Sequence, residues 1–190
     1  MSSIKEDIQK IISESSSLIQ SSISLSDKIE LVVNEIVECL KKGNKIIIFG
    51  NGGSAADAQH IAAELIGRFQ KERESLPAIS LTTDSSIITS LANDYSFDVV
   101  FSRQCESLVL KGDVVLGIST SGNSKNVENG IVTSKKKGAT TIGLLGGDGG
   151  TIKNVVDISI EIPSRSTARI QEVHRVVYHI ICDLVEKKLS

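Results

Sequence analysis

The 190-residue sequence contains no tryptophan, and only 3% of its residues are aromatic. Proteins that bind single-stranded nucleic acid stack bases on aromatic side chains, and nucleic-acid binders in general present clustered lysine and arginine. This chain has a formal net charge of -2 and no long basic tract. The composition therefore argues against a nucleic-acid partner and predicts a core built from isoleucine, valine and leucine.

Long apolar runs are also absent, since none approaches the ~20 residues that a membrane-spanning helix needs. The first residues lack the basic segment and apolar stretch of a signal peptide. The cysteines, Cys39, Cys105 and Cys182, are odd in number and far apart, with no CxxC pair. Because disulfide frameworks use even sets of cysteines, we expect reduced core thiols in a cytoplasmic protein, neither secreted nor inserted in a membrane.

The sequence of residues 1–43 predicts two helices ahead of the main fold. We expect these helices to take part in oligomerisation. Isoleucines and leucines recur at three- and four-residue spacings from Ile4 to Ile23, which favours an amphipathic helix over a mobile serine-rich tail. In the second helix, Ser26 is the predicted N-cap and Gly43 ends the helix.

From residue 44 onward, short apolar runs alternate with helix-like stretches. These runs are the candidate strands, at residues 46–49, 78–81, 114–118, 140–145 and 158–162. Because each run is apolar on both faces, the pattern is typical of buried parallel strands covered by helices. Residues 44–190 are therefore predicted to form an α/β doubly wound domain, whose ligands bind outside the carboxyl ends of the strands.

A glycine-rich loop, from Gly50 through Asn51, Gly52 and Gly53 to Ser54, follows the first strand and opens a helix. Glycines let backbone N–H groups approach a ligand, and a helix N-terminus favours an anion. The loop also matches the dinucleotide pattern GxGxxA. That reading is disfavoured because the acidic residue expected about 20 positions further on is missing.

A second loop, from Ser119 through Thr120 and Ser121 to Ser124, follows the third strand and precedes another helix. Its hydroxyls favour a neutral hydrogen-bonding site for a phosphate, and an ordinary capped turn is the alternative. A third loop is predicted to hold Asn93 and Asp94, for sugar hydroxyls. The glycine-rich run at 146–150 is interpreted as a flexible turn.

His60 and Glu64 lie one helical turn apart, directly after the glycine loop. Residues at i and i+4 share a helix face, so a metal-type ligand and a carboxylate are predicted beside the phosphate site. An exposed i,i+4 hydrogen bond is the simpler alternative. The other two histidines, His174 and His179, fall with Gln171 in the last helical stretch, and His174 is interpreted as a packing or interface residue with a substrate role in reserve.

Four separated motifs carry a family resemblance: GNGGSAADAQHIAAEL, ANDYSF, GDVVLGISTSGNS and RIQEVHRVVYHIICDLVE. Together they resemble the SIS-domain phosphoheptose isomerases, from about residue 27 to the end. The resemblance implies a five-stranded parallel sheet of flavodoxin-like order between two helical layers. It also implies a homotetramer with active sites at subunit interfaces, and conversion of sedoheptulose 7-phosphate into an aldose phosphate for surface polysaccharide.

The same resemblance implies the site residues. The zinc ligands would be His60, Glu64, Gln171 and His179, and Glu64 and His179 would also act as acid and base. The implied substrate contacts are Asn51, Gly52, Gly53, Ser54, Glu64, Asn93, Asp94, Ser119, Thr120, Ser121, Ser124 and Gln171. Because a glutamine ligand binds zinc weakly, one zinc per subunit at partial occupancy is expected.

Some details stay open at the level of sequence. Arg68, one further turn beyond Glu64, would reach a phosphate across a subunit boundary or form a surface salt bridge. Ala168 stands where some family members have aspartate. A related SIS protein that binds a replication initiator, and a sugar-phosphate sensor, are the alternative functions, although the former lacks the counterparts of Glu64 and His179.

Overall fold

The computed structural model describes residues 3–190, which fold into one parallel sheet with helices on both faces. The strands are β1 (Ile46–Gly50), β2 (Ala78–Ser80), β3 (Val114–Ser119), β4 (Thr140–Gly146) and β5 (Ile158–Ile162). The α-helices are α1 (Ile4–Ser21), α2 (Ser26–Lys41), α3 (Gly53–Ile66), α4 (Ser85–Asp94), α5 (Ser102–Leu108), α6 (Lys125–Lys136) and α7 (Thr167–Leu189). Short 3-10 helices span Ser22–Leu25, Phe97–Val99 and Ile152–Asn154.

The strand order is β2-β1-β3-β4-β5, and every neighbouring pair is parallel. This is the flavodoxin-like order, so the predicted fold class is confirmed. The order reverses between β1 and β3. The loops after these two strands, which are the glycine loop and the serine loop, therefore open at the point where doubly wound sheets bind ligands.

Alternate residues of the strands supply two separate cores. Ile46 and Ile48 of β1 face α2, α3 and α7, whereas Ile47 and Phe49 face α5 and α6. Each of these four side chains is at most 1% exposed. Complete burial of a side chain of this size contributes about 1.5–3 kcal/mol. Burial on both faces is the reason that β1 appears in the sequence as an unbroken apolar run. The edge strand β5 differs from the prediction, because its polar residues Ser159 and Glu161 alternate with isoleucines and are only half-buried.

The serine-rich N-terminal segment is a helix, as predicted, and not a tail. Ser3 and Glu6 form a capping box at the start of α1. Further along, the hydroxyl of Ser15 donates to the carbonyl oxygen of Ile11 at 2.9 Å, so this serine is satisfied within the helix. No residue of the described part of α1 is buried, and Ile4 and Ile12 are 80% and 60% exposed.

The predicted N-cap at Ser26 is wrong. Ser26 is already the first residue of α2, and its hydroxyl donates to the carbonyl oxygen of Ile23 at 2.6 Å. The physical reason is the 3-10 turn at Ser22–Leu25, which joins α1 to α2 without the extended residue that an N-cap requires. The predicted end of α2 at Gly43 is correct, because this glycine adopts a left-handed φ of 76°.

Helix α2 contributes Val32, Val33 and Ile36 to the core that Ile46 and Ile48 form with α3 and α7. The division of the chain after residue 43, with an oligomerisation role for residues 1–43, stays a prediction. Among residues 3–190, no helix is both long enough and apolar enough to cross a bilayer.

Candidate active site

Three side chains from two helices converge beside the carboxyl edge of the sheet. The Nε2 atom of His60 lies 2.9 Å from Oε1 of Glu64, both on α3. His179 of α7 joins them, so that one potential ligand atom from each residue lies within 4.8 Å of the others. The i,i+4 contact between His60 and Glu64 exists as the simpler interpretation expects, but it is completed by an imidazole from the far end of the chain.

Helix geometry explains why α3 presents these groups together. At 100° per residue, Asp57, His60 and Glu64 fall within about 60° of one another on one face of the helix. This face packs against α7, where the ring of His179 lies 5.1 Å from the ring of His60 and 4.8 Å from that of Tyr178, measured between centroids. The rings of His60 and Tyr178 lie 5.5 Å apart, and all three contacts are edge-on aromatic packing, which favours one orientation of each imidazole.

The local environment favours the neutral form of His179. Burial lowers the pKa of His179 below its ordinary value, and the neighbouring His60 lowers it further, although the charge of Glu64 opposes the shift. Phe69 covers the other side of the ring at 5.7 Å between centroids. A neutral imidazole has a free nitrogen lone pair, which can accept a proton or bind a metal ion.

A hydrogen-bond network lies behind His60, and no sequence pattern predicted it. The hydroxyl of Tyr178 lies 3.1 Å from Nδ1 of His60 and 3.3 Å from Oδ1 of Asp57. Arg175 donates to both the Tyr178 hydroxyl and the Asp57 carboxylate. Burial raises the pKa of Tyr178 to about 12, and the charge of Asp57 adds to this, so the phenol stays protonated at neutral pH.

Gln171 reaches the glycine loop. A Cβ atom added at Gly53 would lie 2.3 Å from Nε2 of Gln171, so the amide rests directly on the backbone at the start of α3. The predicted role of Gln171 in substrate and zinc binding therefore has a suitable location, and the role itself stays a prediction.

Asn51 is held in place by a partner that sequence reasoning missed. Its side chain exchanges two hydrogen bonds with Asn126, at 2.8 and 2.9 Å. Asn126 is buried in the first turn of α6, two residues after the last serine of the serine loop. This reciprocal amide pair connects the glycine loop to the serine loop. Ser54, also predicted to contact substrate, is buried at the start of α3.

The hydroxyls of the serine loop converge, as the sequence predicts. Oγ of Ser119 lies 3.0 Å from Oγ of Ser124 and 3.4 Å from Oγ of Ser121. Ser124 is the N-cap residue of α6 but makes no side-chain capping bond to that helix. These hydroxyls and the amino-terminal turn of α6 form a neutral set of donors suited to a phosphate. Thr120, half-buried, lies between them.

The glycine-rich run after β4 supports the serine loop. Gly122, with a left-handed φ of 65°, packs so closely that an added Cβ would lie 2.3 Å from the carbonyl of Gly149. In addition, the backbone N–H of Ile152 donates to the carbonyl oxygen of Gly122 at 3.0 Å. The run is therefore a close backbone contact, and not only the turn that the sequence suggested.

Other predicted residues lie outside this cluster of contacts. Arg68 follows the end of α3 at Ile66, so it does not continue the helix face of Glu64, and it forms an exposed ion pair with Glu72 at 3.7 Å. Asn93 and Asp94 are exposed at the end of α4 and not in a loop, because the helix that Asp84 caps continues through them. Their predicted substrate contacts stay predictions.

His174 is a packing residue in this chain. It is 0% exposed, and its Nε2 atom lies 3.2 Å from the carbonyl oxygen of Leu145. Burial lowers its pKa to about 4, although the hydrogen bond with Leu145 partly opposes the shift. A neutral, enclosed imidazole agrees with the packing role predicted for it.

A large groove lies elsewhere. Its volume is about 820 Å³, and mostly apolar and uncharged side chains of α1, α2 and α7 line it, including Ile19, Ile29, Val33 and Ile180. None of the polar residues of the candidate active site lines this groove. It is an apolar surface next to the exposed isoleucines of α1, and not a second polar site.

The chain is similar to known proteins over most of its length. The model of the SIS domain family matches residues 12–146. The chain is 59% identical over 155 residues to the phosphoheptose isomerase of Pelobacter propionicus, which covers 82% of each chain. The phosphoheptose isomerase of Geobacter sulfurreducens is 53% identical over 165 residues, covering 87% of each.

A solved structure has the same fold over nearly the whole chain. The phosphoheptose isomerase of Neisseria gonorrhoeae superimposes with a TM-score of 0.93 at 39% identity, covering 97% of this chain and 100% of that one.

Proposed function

Because the chain belongs to the SIS-domain phosphoheptose isomerases, we propose that it converts sedoheptulose 7-phosphate into D-glycero-D-manno-heptose 7-phosphate. It is an aldose-ketose isomerase of sugar phosphates. The comparisons give no support to a non-catalytic role in initiator binding or sugar-phosphate sensing. Use of the product in surface polysaccharide stays a prediction. The observation that carries the chemistry is the convergence of Glu64 of α3 and His179 of α7, two helices far apart in the chain.

The reaction moves a proton between two adjacent carbons. In our proposal the Glu64 carboxylate removes a proton from C1 of the ketose and returns it to C2. Neutral His179 carries the hydroxyl proton from O1 to O2 through the enediol stage, so that the carbonyl ends at C1 and no atom is lost. The backbone of Gly52 and Gly53 and the hydroxyls of Ser119, Ser121 and Ser124 hold the substrate and its phosphate.

We propose zinc as the cofactor, held by His60, Glu64, Gln171 and His179. The donor set supports this choice, because imidazole nitrogens with a carboxylate oxygen suit zinc. Bound zinc supplies Lewis-acid polarisation of the substrate carbonyl. We expect His60→Ala to lower the zinc retained after dialysis, measured by elemental analysis. Unchanged zinc content would remove His60 from the ligand set.

We also propose a homotetramer in which the exposed isoleucines of α1 are covered by other copies. Ile4, Ile8 and Ile12 are at least half exposed along one helix, next to the apolar groove. Exposed apolar surface of this extent is typical of an interface. Sedimentation equilibrium should give four chains per particle. A monomer would contradict the proposal.

A cytoplasmic location is proposed from the thiols. Cys39, Cys105 and Cys182 are all free and buried. Burial raises the pKa of Cys105 to about 11 and that of Cys182 to about 12, so these thiols are protonated and unreactive at neutral pH. Free thiols are typical of a reducing compartment. Fractionation of cells that express the chain would test the location.

The function is tested by incubating the purified chain with sedoheptulose 7-phosphate and following aldose phosphate by NMR. Glu64→Gln should lower turnover by at least about 100-fold, since it removes the base and keeps the shape. Glu72→Gln, which alters an exposed carboxylate, is the matched control. Absence of product from the unchanged chain would contradict the proposed function, whereas near wild-type turnover of Glu64→Gln would contradict only its mechanism.

A further inference from the structure

The network behind His60 specifies where the imidazole carries its proton. The Tyr178 hydroxyl has three polar neighbours: Nε of Arg175 at 3.1 Å, Nδ1 of His60 at 3.1 Å and Oδ1 of Asp57 at 3.3 Å. Arg175 can only donate, and an Asp57 carboxylate can only accept. Both Asp57 and Tyr178 are at most 2% exposed, so water does not replace these partners easily.

Only one arrangement of protons makes all three contacts hydrogen bonds. The phenol donates its single proton to Asp57, and its oxygen then accepts from Arg175 and from His60. His60 must therefore be protonated at Nδ1. If the phenol donated to His60 instead, the contact between the Tyr178 hydroxyl and Asp57 would have no proton.

Protonation at Nδ1 leaves the lone pair of a neutral His60 on Nε2, which faces Oε1 of Glu64 at 2.9 Å. Two acceptor atoms at this distance repel each other unless a cation binds to both or a proton lies between them. The network thus favours the state of His60 that a metal ion requires. In metal sites, a partner on the second ring nitrogen of a ligating histidine fixes its tautomer and orientation.

We propose that Tyr178 is a positioning residue which, oriented by Asp57, holds His60 with Nδ1 protonated and Nε2 directed to the metal site. The inference rests on the proposed zinc site and goes beyond it, because neither Asp57 nor Tyr178 is a ligand. The network spans both helices of the site, since Asp57 and His60 belong to α3 and Tyr178 belongs to α7.

The first experiment measures zinc affinity by competition with a chelator. Tyr178→Phe removes the hydroxyl and keeps the ring, and we expect it to weaken zinc binding about 10- to 100-fold. Thr141→Val is the matched control. It removes a buried hydroxyl on β4, which donates to the Asp157 carboxylate at 2.7 Å. If both variants bind zinc as tightly as the unchanged chain, the positioning role of Tyr178 is wrong.

The second experiment does not depend on zinc. Nitrogen NMR of the imidazoles in the metal-free protein, with His60 assigned by its loss in His60→Ala, reports which ring nitrogen carries a proton. We expect a protonated Nδ1 in the unchanged chain and an unprotonated Nδ1 in Tyr178→Phe. An unprotonated Nδ1 in the unchanged chain would overturn the inference, even if the chain binds zinc.

Asp57 variants give a test that keeps Tyr178 in place. Asp57→Ala frees the phenolic proton to donate to His60, so we expect Nδ1 to lose its proton and zinc to bind more weakly. Asp57→Asn retains an acceptor oxygen and should restore both properties toward the unchanged chain. If the unchanged chain does not bind zinc but Nδ1 of His60 is protonated, the zinc site is refuted and the hydrogen-bond network is supported.

Discussion

Gly53 allows a test that separates damage to the site from damage to the fold. It is the first residue of α3, and its backbone lies against the amide of Gln171. Replacement by alanine adds one methyl group, which would meet Nε2 of Gln171 at 2.3 Å. Gln171 is a flexible side chain, so it can move away, and we expect the protein to fold.

The size of the movement follows from the contact. Ordinary van der Waals contact begins at 3.4 Å, so the Gln171 amide must retreat by about 1.1 Å. A misplacement of about 1 Å in an active site can lower turnover by roughly 100-fold. The stability of the fold should not fall with turnover, because alanine in a helix is favoured over glycine by about 0.5–1 kcal/mol.

We therefore expect Gly53→Ala to lose about 100-fold in kcat/KM while its free energy of unfolding stays equal or rises. The assay is initial-rate kinetics with sedoheptulose 7-phosphate, together with urea unfolding. Gly43→Ala is the control with the reverse pattern. Gly43 has nothing within 4 Å of an added Cβ, but its φ of 76° should destabilise the variant by about 1–2 kcal/mol with turnover unchanged.

The reasoning also requires that Gln171 be the cause. In a chain that already carries Gln171→Ala, adding Gly53→Ala should produce little further loss, because the clash has been removed. Near wild-type turnover of the single variant would refute the role of this contact. Fully additive losses in the double variant would show that the methyl group acts on another group.

Three further results are expected. Glu161→Gln should destabilise the fold at pH 7: burial alone raises the pKa of Glu161, but two lysines outweigh it and lower the pKa to about 2. The stabilisation is thus complete above about pH 4.5 and is lost as the pH falls toward 2. Urea unfolding should therefore show that the unchanged chain and the variant differ less in free energy of unfolding below pH 4.5 than at pH 7. Glu186→Gln should destabilise by about 3–5 kcal/mol in urea unfolding at pH 7, because the buried carboxylate pairs with Arg73 at 3.2 Å and accepts three backbone N–H groups; an unchanged midpoint would contradict this. Asn126→Ala should raise KM about tenfold, since Asn51 loses two hydrogen bonds, and initial-rate kinetics with unchanged KM would refute that link.

Sequence patterns were sufficient for the architecture. Each observed strand begins at the first residue of the run that predicted it. For the central strands β1 and β3 the reason is burial on both faces, which requires a mostly apolar segment. The helical spacing of His60 and Glu64 placed them on one face, since that relation depends only on local geometry. Local rules failed at Ser26, which is the first residue of α2 and not its N-cap, and at Arg68, which lies beyond the end of α3. The start of α2 and the end of α3 depend on the path of the chain outside each helix.

The amino-acid order by itself determined the elements, the buried strands and the local grouping of the site residues, since these depend on residues near one another in the chain. The family resemblance implied that His179 joins His60 and Glu64, but no local pattern required it, and the contact itself comes from the tertiary structure. Only the tertiary structure decided that Tyr178 and Asp57 stand behind them. Such contacts join residues more than a hundred positions apart, and no periodicity records them. They depend on the packing of α7 against α3, which is set by the whole core.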